Sequence, residues 1–175
     1  MRLLLFLMFP IMTSTQPVWT WSLHPEAGFK ILTPFALTDH VKEVPTEADM
    51  IQYHQFTGGS IKDTSLAMAF VVDYYQVPES SEARDDDYLR DFFENTIDPI
   101  LTSISGSLVY MDIHREANQD VCAWKATYRK GDGMVRGSCI LTKDGYYGLQ
   151  VFGLTKDKPE DQMNKFLNSF KLIEP

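Results

Sequence analysis

The chain has 175 residues, of which 44% are hydrophobic and 23% are charged, and its formal net charge at pH 7 is -8. This length suits one domain built around a single hydrophobic core. The negative charge argues against nucleic acid and anionic lipid surfaces as primary partners.

Residues 1–15 have the pattern of a secretory signal peptide. Arg2 precedes an apolar run from Leu3 to Met12, and small polar residues follow it. The run is about ten residues long, whereas a membrane-spanning helix needs roughly 20. No cysteine follows the leader to accept a lipid. We therefore predict cleavage near residue 15 and release of a soluble protein, without a membrane span, into the periplasm or outside the cell.

Residues 16–27 lack a regular hydrophobic period, which predicts an N-terminal arm that leads into one globular domain at 28–175. The arm contains Trp19 and Trp21. Two alternatives are open for these side chains: they pack back onto the domain, or they stay partly exposed and contact a partner.

Extended segments dominate the domain, with one helical segment between them and another at the end. Alternating apolar residues and turn signals indicate the strands, and Gly58-Gly59 marks one turn. Apolar residues at three- and four-residue steps predict a helix from Tyr88 and a closing helix after Pro159. Pro99 either kinks the first helix or opens a second short one. The predicted strands are 28–33, 36–44, 50–56, 66–75, 107–114, 121–129, 134–143 and 146–154.

The order of these elements predicts an α+β fold. Segment 66–75 is apolar on both faces, so helices must cover the sheet there. The last four strands, joined by short polar turns, are typical of an antiparallel meander. We therefore expect an antiparallel sheet of about seven strands flanked by helices. In the meander, one face carries Cys122, Trp124, Ala126, Tyr128, Val135, Cys139 and Leu141, and the other carries Lys125, Thr127, Arg136 and Ser138.

Cys122 and Cys139 are the two cysteines of the chain and lie in neighbouring predicted strands. A turn at Lys130-Gly131 places them directly opposite each other, whereas a turn at Gly131-Asp132 offsets them by two residues. Only the first register brings the sulfur atoms within bonding reach. The alternatives are a disulfide, which export would favour, and two buried free thiols.

Two short motifs resemble a known family. They are Gly28-Phe29-Lys30-Ile31-Leu32-Thr33-Pro34 and Phe166-Leu167-Asn168-Ser169-Phe170-Lys171-Leu172. Together they resemble the PsbP-like superfamily, which includes the extrinsic photosystem II protein PsbP and exported bacterial proteins of the DcrB type. The resemblance spans residues 28–172 and implies a PsbP-type fold similar to an αβα sandwich. It also implies a non-enzymatic accessory or docking role, and it offers no catalytic residue to carry over.

No sequence pattern predicts a catalytic residue, a metal site or a cofactor. The acidic run 85–87 lacks the spacing of a calcium loop and favours the start of the following helix. His24, His40 and His54 lie in separate segments without the spacing that gathers zinc ligands on a helix. The glycines of 131–137 have the wrong spacing for a phosphate-binding loop and fit a hairpin turn.

The leading functional prediction is an exported, non-enzymatic domain that binds a protein partner. Trp19, Trp21, Tyr146 and Tyr147 are the candidate binding residues, because aromatic side chains are enriched where proteins dock. Core packing is the alternative for each of them.

Two other classes of function are possible. The first is a carrier that holds a small apolar ligand between sheet and helix, which would require an enclosed apolar cavity of about 300 Å³ or more. Its candidate lining residues are Phe92, Phe93, Trp124 and Tyr128. The second is a metal-dependent hydrolase, for which several histidines and acids would have to converge in one pocket.

Overall fold

The structure is a computed structural model that describes residues 17–45, 50–60, 67–77 and 84–173. The predicted signal peptide lies outside these ranges. The strands and helices are β1 (Thr20–His24), β2 (Phe29–Thr33), β3 (Thr38–Pro45), β4 (Met50–Ser60), β5 (Met68–Gln76), α1 (Asp86–Ile104), β6 (Ser107–Glu116), β7 (Gln119–Tyr128), β8 (Gly133–Thr142), β9 (Gly145–Leu154), α2 (Glu160–Leu167) and β10 (Lys171–Leu172). Neither helix is both long and apolar enough to cross a membrane; this holds for the described ranges.

A large antiparallel sheet forms the middle of the molecule. Its seven strands lie in the order β3-β4-β5-β9-β8-β7-β6. β5 pairs with β4 on one side and β9 on the other, as expected for an apolar inner strand. Strands β6 to β9 pair in sequence order, so the predicted meander is confirmed. The architecture is the predicted α+β fold.

A second sheet, in the order β1-β2-β10, contains residues Thr20–His24 of the predicted arm. β1 pairs with β2 from Thr20 opposite Thr33 to His24 opposite Phe29. Strand β1 is therefore an element that the sequence analysis did not predict within the arm. In β1 the large apolar side chain faces solvent and a polar one faces the core, which is the reverse of an ordinary surface strand. Trp21 is exposed, whereas His24 is buried against aromatic rings.

Helix α1 covers one face of the large sheet. Its apolar side chains Leu89, Phe93 and Ile97 belong to the same buried cluster as Trp124 and Tyr128 of β7. This is the sheet face that the sequence predicts to be buried, so the prediction is confirmed. The cluster is a close-packed core, and Gly137 is required in it because a Cβ atom there would lie 2.3 Å from the Trp124 ring.

The N-terminus of α1 explains the acidic residues that precede it. The side chain of Asp85 accepts a hydrogen bond from the Tyr88 backbone N–H at 2.8 Å, which is the arrangement of an N-cap. The helix then continues through the exposed Pro99 to Ile104. Of the two alternatives for Pro99, the structure has the single helix.

The small sheet and helix α2 cover part of the opposite face of the large sheet. Phe29 and Ile31 from β2, together with Met163 and Phe166 from α2, join a core that includes Phe70 of β5. Helix α2 packs on β8 and β9, whereas α1 packs on β6 and β7. The two covers are therefore offset, and on the α2 side the strands β6 to β8 are left beside a cleft.

The predicted turn at Gly58-Gly59 is wrong, because β4 continues through both glycines to Ser60. Gly59 has a φ of +75° and pairs with Ala69. A Cβ atom at Gly59 would lie 2.4 Å from the carbonyl oxygen of Met68. Glycine at this position therefore permits close approach of two strands inside the sheet, and it does not end the strand.

Candidate binding surface

The outer face of the small sheet carries an exposed aromatic residue between two cations. Trp21 is 44% exposed and its neighbour on that face, Leu23, is 61% exposed. The ring centroid of Trp21 lies 5.5 Å from Nζ of Lys30 and 5.8 Å from Nζ of Lys171. We call Trp21, Leu23, Lys30 and Lys171 the Trp21 platform.

Strand register places these four residues together. Leu23 pairs with Lys30 in β2, and Lys30 also pairs with Lys171 in β10, so the three side chains lie on one face. Cation–π contacts at exposed sites contribute about 0.5–1 kcal/mol each, and here both ammonium groups lie within cation–π range of the indole ring. Within the described ranges, neither lysine forms an ion pair with an acid. The platform therefore presents an apolar ring and positive charge to solvent.

Trp19 packs back onto the domain, which is the first of the two alternatives for the tryptophans of the arm. Its ring meets Phe70 edge-on at a centroid distance of 5.9 Å, and Nζ of Lys165 lies 4.7 Å from the Trp19 ring. Trp19 is only half-buried, but its ring closes one end of the core beneath α2. The two tryptophans of the predicted arm thus have different roles.

Tyr146 and Tyr147, the other two candidate binding residues, lie in the interior. They are 2% and 7% exposed. Tyr146 stacks on Tyr75 at 4.9 Å, and Tyr147 donates a hydrogen bond to the carbonyl oxygen of Ala27 at 3.0 Å. Burial raises the pKa of Tyr147 to about 12. Both tyrosines are therefore packed in the core, as the alternative interpretation expected, and neither ring is exposed on the surface.

The two cysteines lie directly opposite each other, in the register that a Lys130-Gly131 turn predicts. Both are buried free thiols, which is the second of the two alternatives. Burial raises the pKa of Cys122 and of Cys139 to about 12, so neither forms the nucleophilic thiolate at neutral pH. The disulfide is not present in this structure.

A cleft lies on the α2 side of the large sheet, bounded by α2 and β10 and floored by β6, β7 and β8. We call it the Arg136 cleft. It has a volume of about 500 Å³. The Arg136 guanidinium donates hydrogen bonds to Oδ1 of Asn164 at 2.5 Å and to the Tyr110 hydroxyl at 3.1 Å. Lys171 also lines it, so the cleft adjoins the Trp21 platform.

The residues predicted to line a carrier cavity lie on the opposite side of the sheet from this cleft. Phe93, Trp124 and Tyr128 are buried in the core beneath α1, and Phe92 packs against that core. They fill the space between sheet and helix with their own rings. For these four residues the structure therefore shows packing in or against the core.

A buried carboxylate that the sequence analysis missed lies in β5. Asp73 is 7% exposed and accepts hydrogen bonds from the Tyr53 hydroxyl, from Gln55 Nε2 at 3.0 Å and from Gln150 Nε2 at 2.6 Å. Burial raises the pKa of Asp73, although these hydrogen bonds oppose the shift. An acid inside an apolar strand was the available signal. Its hydrogen-bond partners lie on β4 and β9, and the sequence pattern does not show which strands lie beside β5.

The histidines do not converge. His24 lies between Phe29 and Phe56, and its Nε2 is 2.8 Å from the hydroxyl of Ser22. His54 is paired with Asp39 and stacks on Phe56 at a centroid distance of 6.0 Å. Across the described ranges, no group of three or more His, Cys, Asp or Glu side chains is placed to hold a metal ion.

Comparison with known proteins establishes the fold. No protein-family model matches the chain, and the search of curated proteins gives no match. Among solved structures, however, the likeness is to a PsbP-like protein. It is the solution structure of cyanobacterial PsbP (CyanoP) from Synechocystis sp. PCC 6803, with a TM-score of 0.59 and 11% sequence identity over 89% of this chain and 93% of that one. This confirms the PsbP-like fold predicted from the two end motifs, and at such low identity it shows the fold alone.

Proposed function

We propose that this chain is an exported, non-catalytic binding domain that docks onto a protein partner through the Trp21 platform. The observation that carries the proposal is a tryptophan held 44% exposed between two lysines, beside an exposed leucine. Tryptophan is among the residues that dominate the binding energy of protein interfaces. The exposed Trp21 ring is therefore the candidate centre of the interface, with the two lysines at its rim.

The positive charge of the platform indicates the kind of partner surface that would fit it. Lys30 and Lys171 have no acidic partner within the described part of the chain, although the whole chain has a net charge of -8. A surface with an apolar pocket for the indole ring and carboxylates at its rim would complement both features. We therefore assign the platform to a protein partner with an acidic, partly apolar docking site.

Export and the accessory role rest on the sequence and the fold. The basic residue and apolar run of residues 1–15 support export. The PsbP-like fold supports a non-enzymatic role by analogy with the accessory proteins of that superfamily. Mass spectrometry of protein recovered outside the cytoplasm tests the export step: we expect an N-terminus near Gln16, and retention of Met1 would contradict it.

Photo-crosslinking in the native host tests the docking surface. A photoreactive residue would replace Leu23 in the platform or, as a matched control, Val109 of β6, which is similarly exposed at 56%. We expect position 23, and not position 109, to crosslink one specific protein. That protein is then purified and its affinity for the mature chain is measured.

The affinity measurement compares Trp21→Ala with Tyr88→Ala, an exposed aromatic residue on α1. Loss of an interface hot spot costs 2 kcal/mol or more, so we expect Trp21→Ala to weaken binding about 30-fold. Tyr88→Ala should bind like the wild type. Equal affinity of wild type and Trp21→Ala would overturn the proposal.

A further inference from the structure

The Arg136 cleft has the volume of a ligand site, and small side chains on the sheet make it deep. Its volume of about 500 Å³ lies within the range of small-molecule pockets. Ala123 and Ser138 lie directly opposite each other in β7 and β8 and both line the cleft. Because both side chains are small, the sheet surface is low between the wall formed by α2 and the strand β6.

Arg136 supplies a positive charge that no acid of the described chain neutralises. Its two hydrogen-bond partners, Asn164 and Tyr110, are neutral groups. The Nε atom of Arg136 is buried and has no hydrogen-bond partner in the described ranges. Each Nη atom still has a second N–H group, so an anion in the cleft could accept hydrogen bonds there and offset the unpaired positive charge.

The neighbouring charges also favour an anion. Lys125 lies directly opposite Arg136 on the same sheet face, and like charges in that position repel. Asp112 and Glu116 lie on this face too, but within the described ranges neither forms an ion pair with Arg136 or Lys125. An excess of positive charge therefore collects at one end of the cleft in an otherwise acidic protein.

Farther along the strands from Arg136, the cleft is lined by the polar side chains of His114, Glu116 and Gln119 and by an apolar patch. Val121 and Ile140 line it from the sheet, and Leu167, Phe170 and Leu172 line it from the other side. The ligand should thus have an apolar body and an anionic head. A planar guanidinium matches the planar shape and single charge of a carboxylate, whereas a phosphate monoester carries close to two charges.

We propose that the Arg136 cleft binds an amphipathic monocarboxylate, with its carboxylate on the Arg136 guanidinium and its apolar part between the sheet and the segment that follows α2. Two sources have this chemistry: a medium-chain fatty acid, and a peptide that ends in an apolar residue with a free C-terminal carboxylate. The cleft shares Lys171 with the Trp21 platform, but the proposal rests on Arg136 and the sheet floor and does not depend on the proposed docking function.

Titration of the mature chain, followed by two-dimensional NMR, tests the proposal. The probes are octanoate and a short peptide ending in leucine with a free carboxylate. Their matched controls are 1-octanol and the same peptide with an amidated C-terminus. We expect saturable shifts at the amides of Ala123 and Ser138 with at least one carboxylate probe, and binding at least tenfold weaker for its control. Octanoate binding indicates the fatty-acid source, and binding of the peptide alone indicates the C-terminal source.

Variants separate the carboxylate contact from general stability. Arg136→Gln should weaken binding of the carboxylate probe at least tenfold, whereas Arg90→Gln, the same change at an exposed position on α1, should not. Ala123→Val keeps the guanidinium but raises the floor, so it should also weaken binding if the ligand lies there. Absence of saturable binding by both carboxylate probes, equal binding of the controls, or wild-type affinity in a folded Arg136→Gln protein would each overturn the proposal.

Discussion

The two faces of strands β7 and β8 differ sharply, although they share one backbone. The face beneath α1 contains Trp124 and Val135 and is sealed by the helix, while the next residues along the same strands, Lys125 and Arg136, line up on the open face. Side chains of a strand alternate between faces, so a one-residue step separates a dry core from a solvated cleft. On these two strands the α1 side is closed core, whereas part of the other side is open as the Arg136 cleft, although Val121 and Ile140 on that side belong to the second core.

The largest loss of stability is expected from a substitution in the core beneath α1. Phe93→Ala removes a fully buried ring from the contact between α1 and the sheet. Such truncations cost about 3–5 kcal/mol, because the cavity left behind collapses only partly. Denaturant unfolding should show this loss, and Val109→Ala on the exposed edge strand should change the free energy of unfolding by less than about 0.5 kcal/mol. Similar costs for the two variants would contradict a division between faces.

A smaller, pH-dependent effect is expected from Asp73, which lies on the α1 side of the sheet in β5. Because burial raises its pKa in the folded state, the folded protein holds this proton more tightly than the unfolded chain does. The contribution of Asp73 to stability is therefore greatest below the unfolded pKa and is lost as the pH rises through the folded pKa. Asp73→Asn removes this titration while keeping a side chain that can accept hydrogen bonds.

Unfolding free energies of wild type and Asp73→Asn at several pH values between about 3.5 and 7 test this sign. We expect the wild type to lose stability relative to the variant as the pH rises. A difference that stays constant, or that grows in favour of the wild type, would show that the hydrogen bonds from Gln55 and Gln150 outweigh burial.

The smallest effect is expected on the open face. Lys125→Thr removes the like charge opposite Arg136 and places a β-branched residue in a strand. Relief of this repulsion should leave stability unchanged or raise it by about 0.2–1 kcal/mol, measured by denaturant unfolding at low salt. The gain should shrink in high salt, since screening weakens the repulsion. A loss above 1 kcal/mol would mean that the lysine stem packs as part of a core.

The sequence predicts the elements whose hydrophobic pattern is strong and conventional. The 3.6-residue period of α1 and the alternation of β7 and β8 give the correct elements and the correct buried face. β1 was missed although Trp21 and Leu23 alternate with polar residues, because the segment is short and is flanked by Pro17 and Pro25. Gly58-Gly59 was misread because a glycine needed for close strand approach looks the same in sequence as a turn glycine.

The candidate sites were harder to predict than the fold. Tyr146 and Tyr147 looked available because tyrosine is amphipathic, but each hydroxyl finds a buried acceptor. The Trp21 platform and the Asp73 network each combine residues from distant parts of the chain, such as Asp73 with Gln150. Periodicity is a local property and does not report such pairs. The Arg136 cleft arises from the offset of α1 and α2, which only the packed structure reveals.

The position of β2 between β1 and β10 has a practical consequence for handling the protein. Thr20 and Leu172, near opposite ends of the described chain, belong to strands on either side of β2, and neighbouring strands are about 4.8 Å apart. A purification tag or fluorescent label fused just before Thr20 would therefore lie next to Trp21, whereas Leu172 pairs with Phe29 at the other end of β2. Pull-down or immobilisation through such a fusion would mask the surface under study, so attachment through an exposed lysine in a distant loop is preferable.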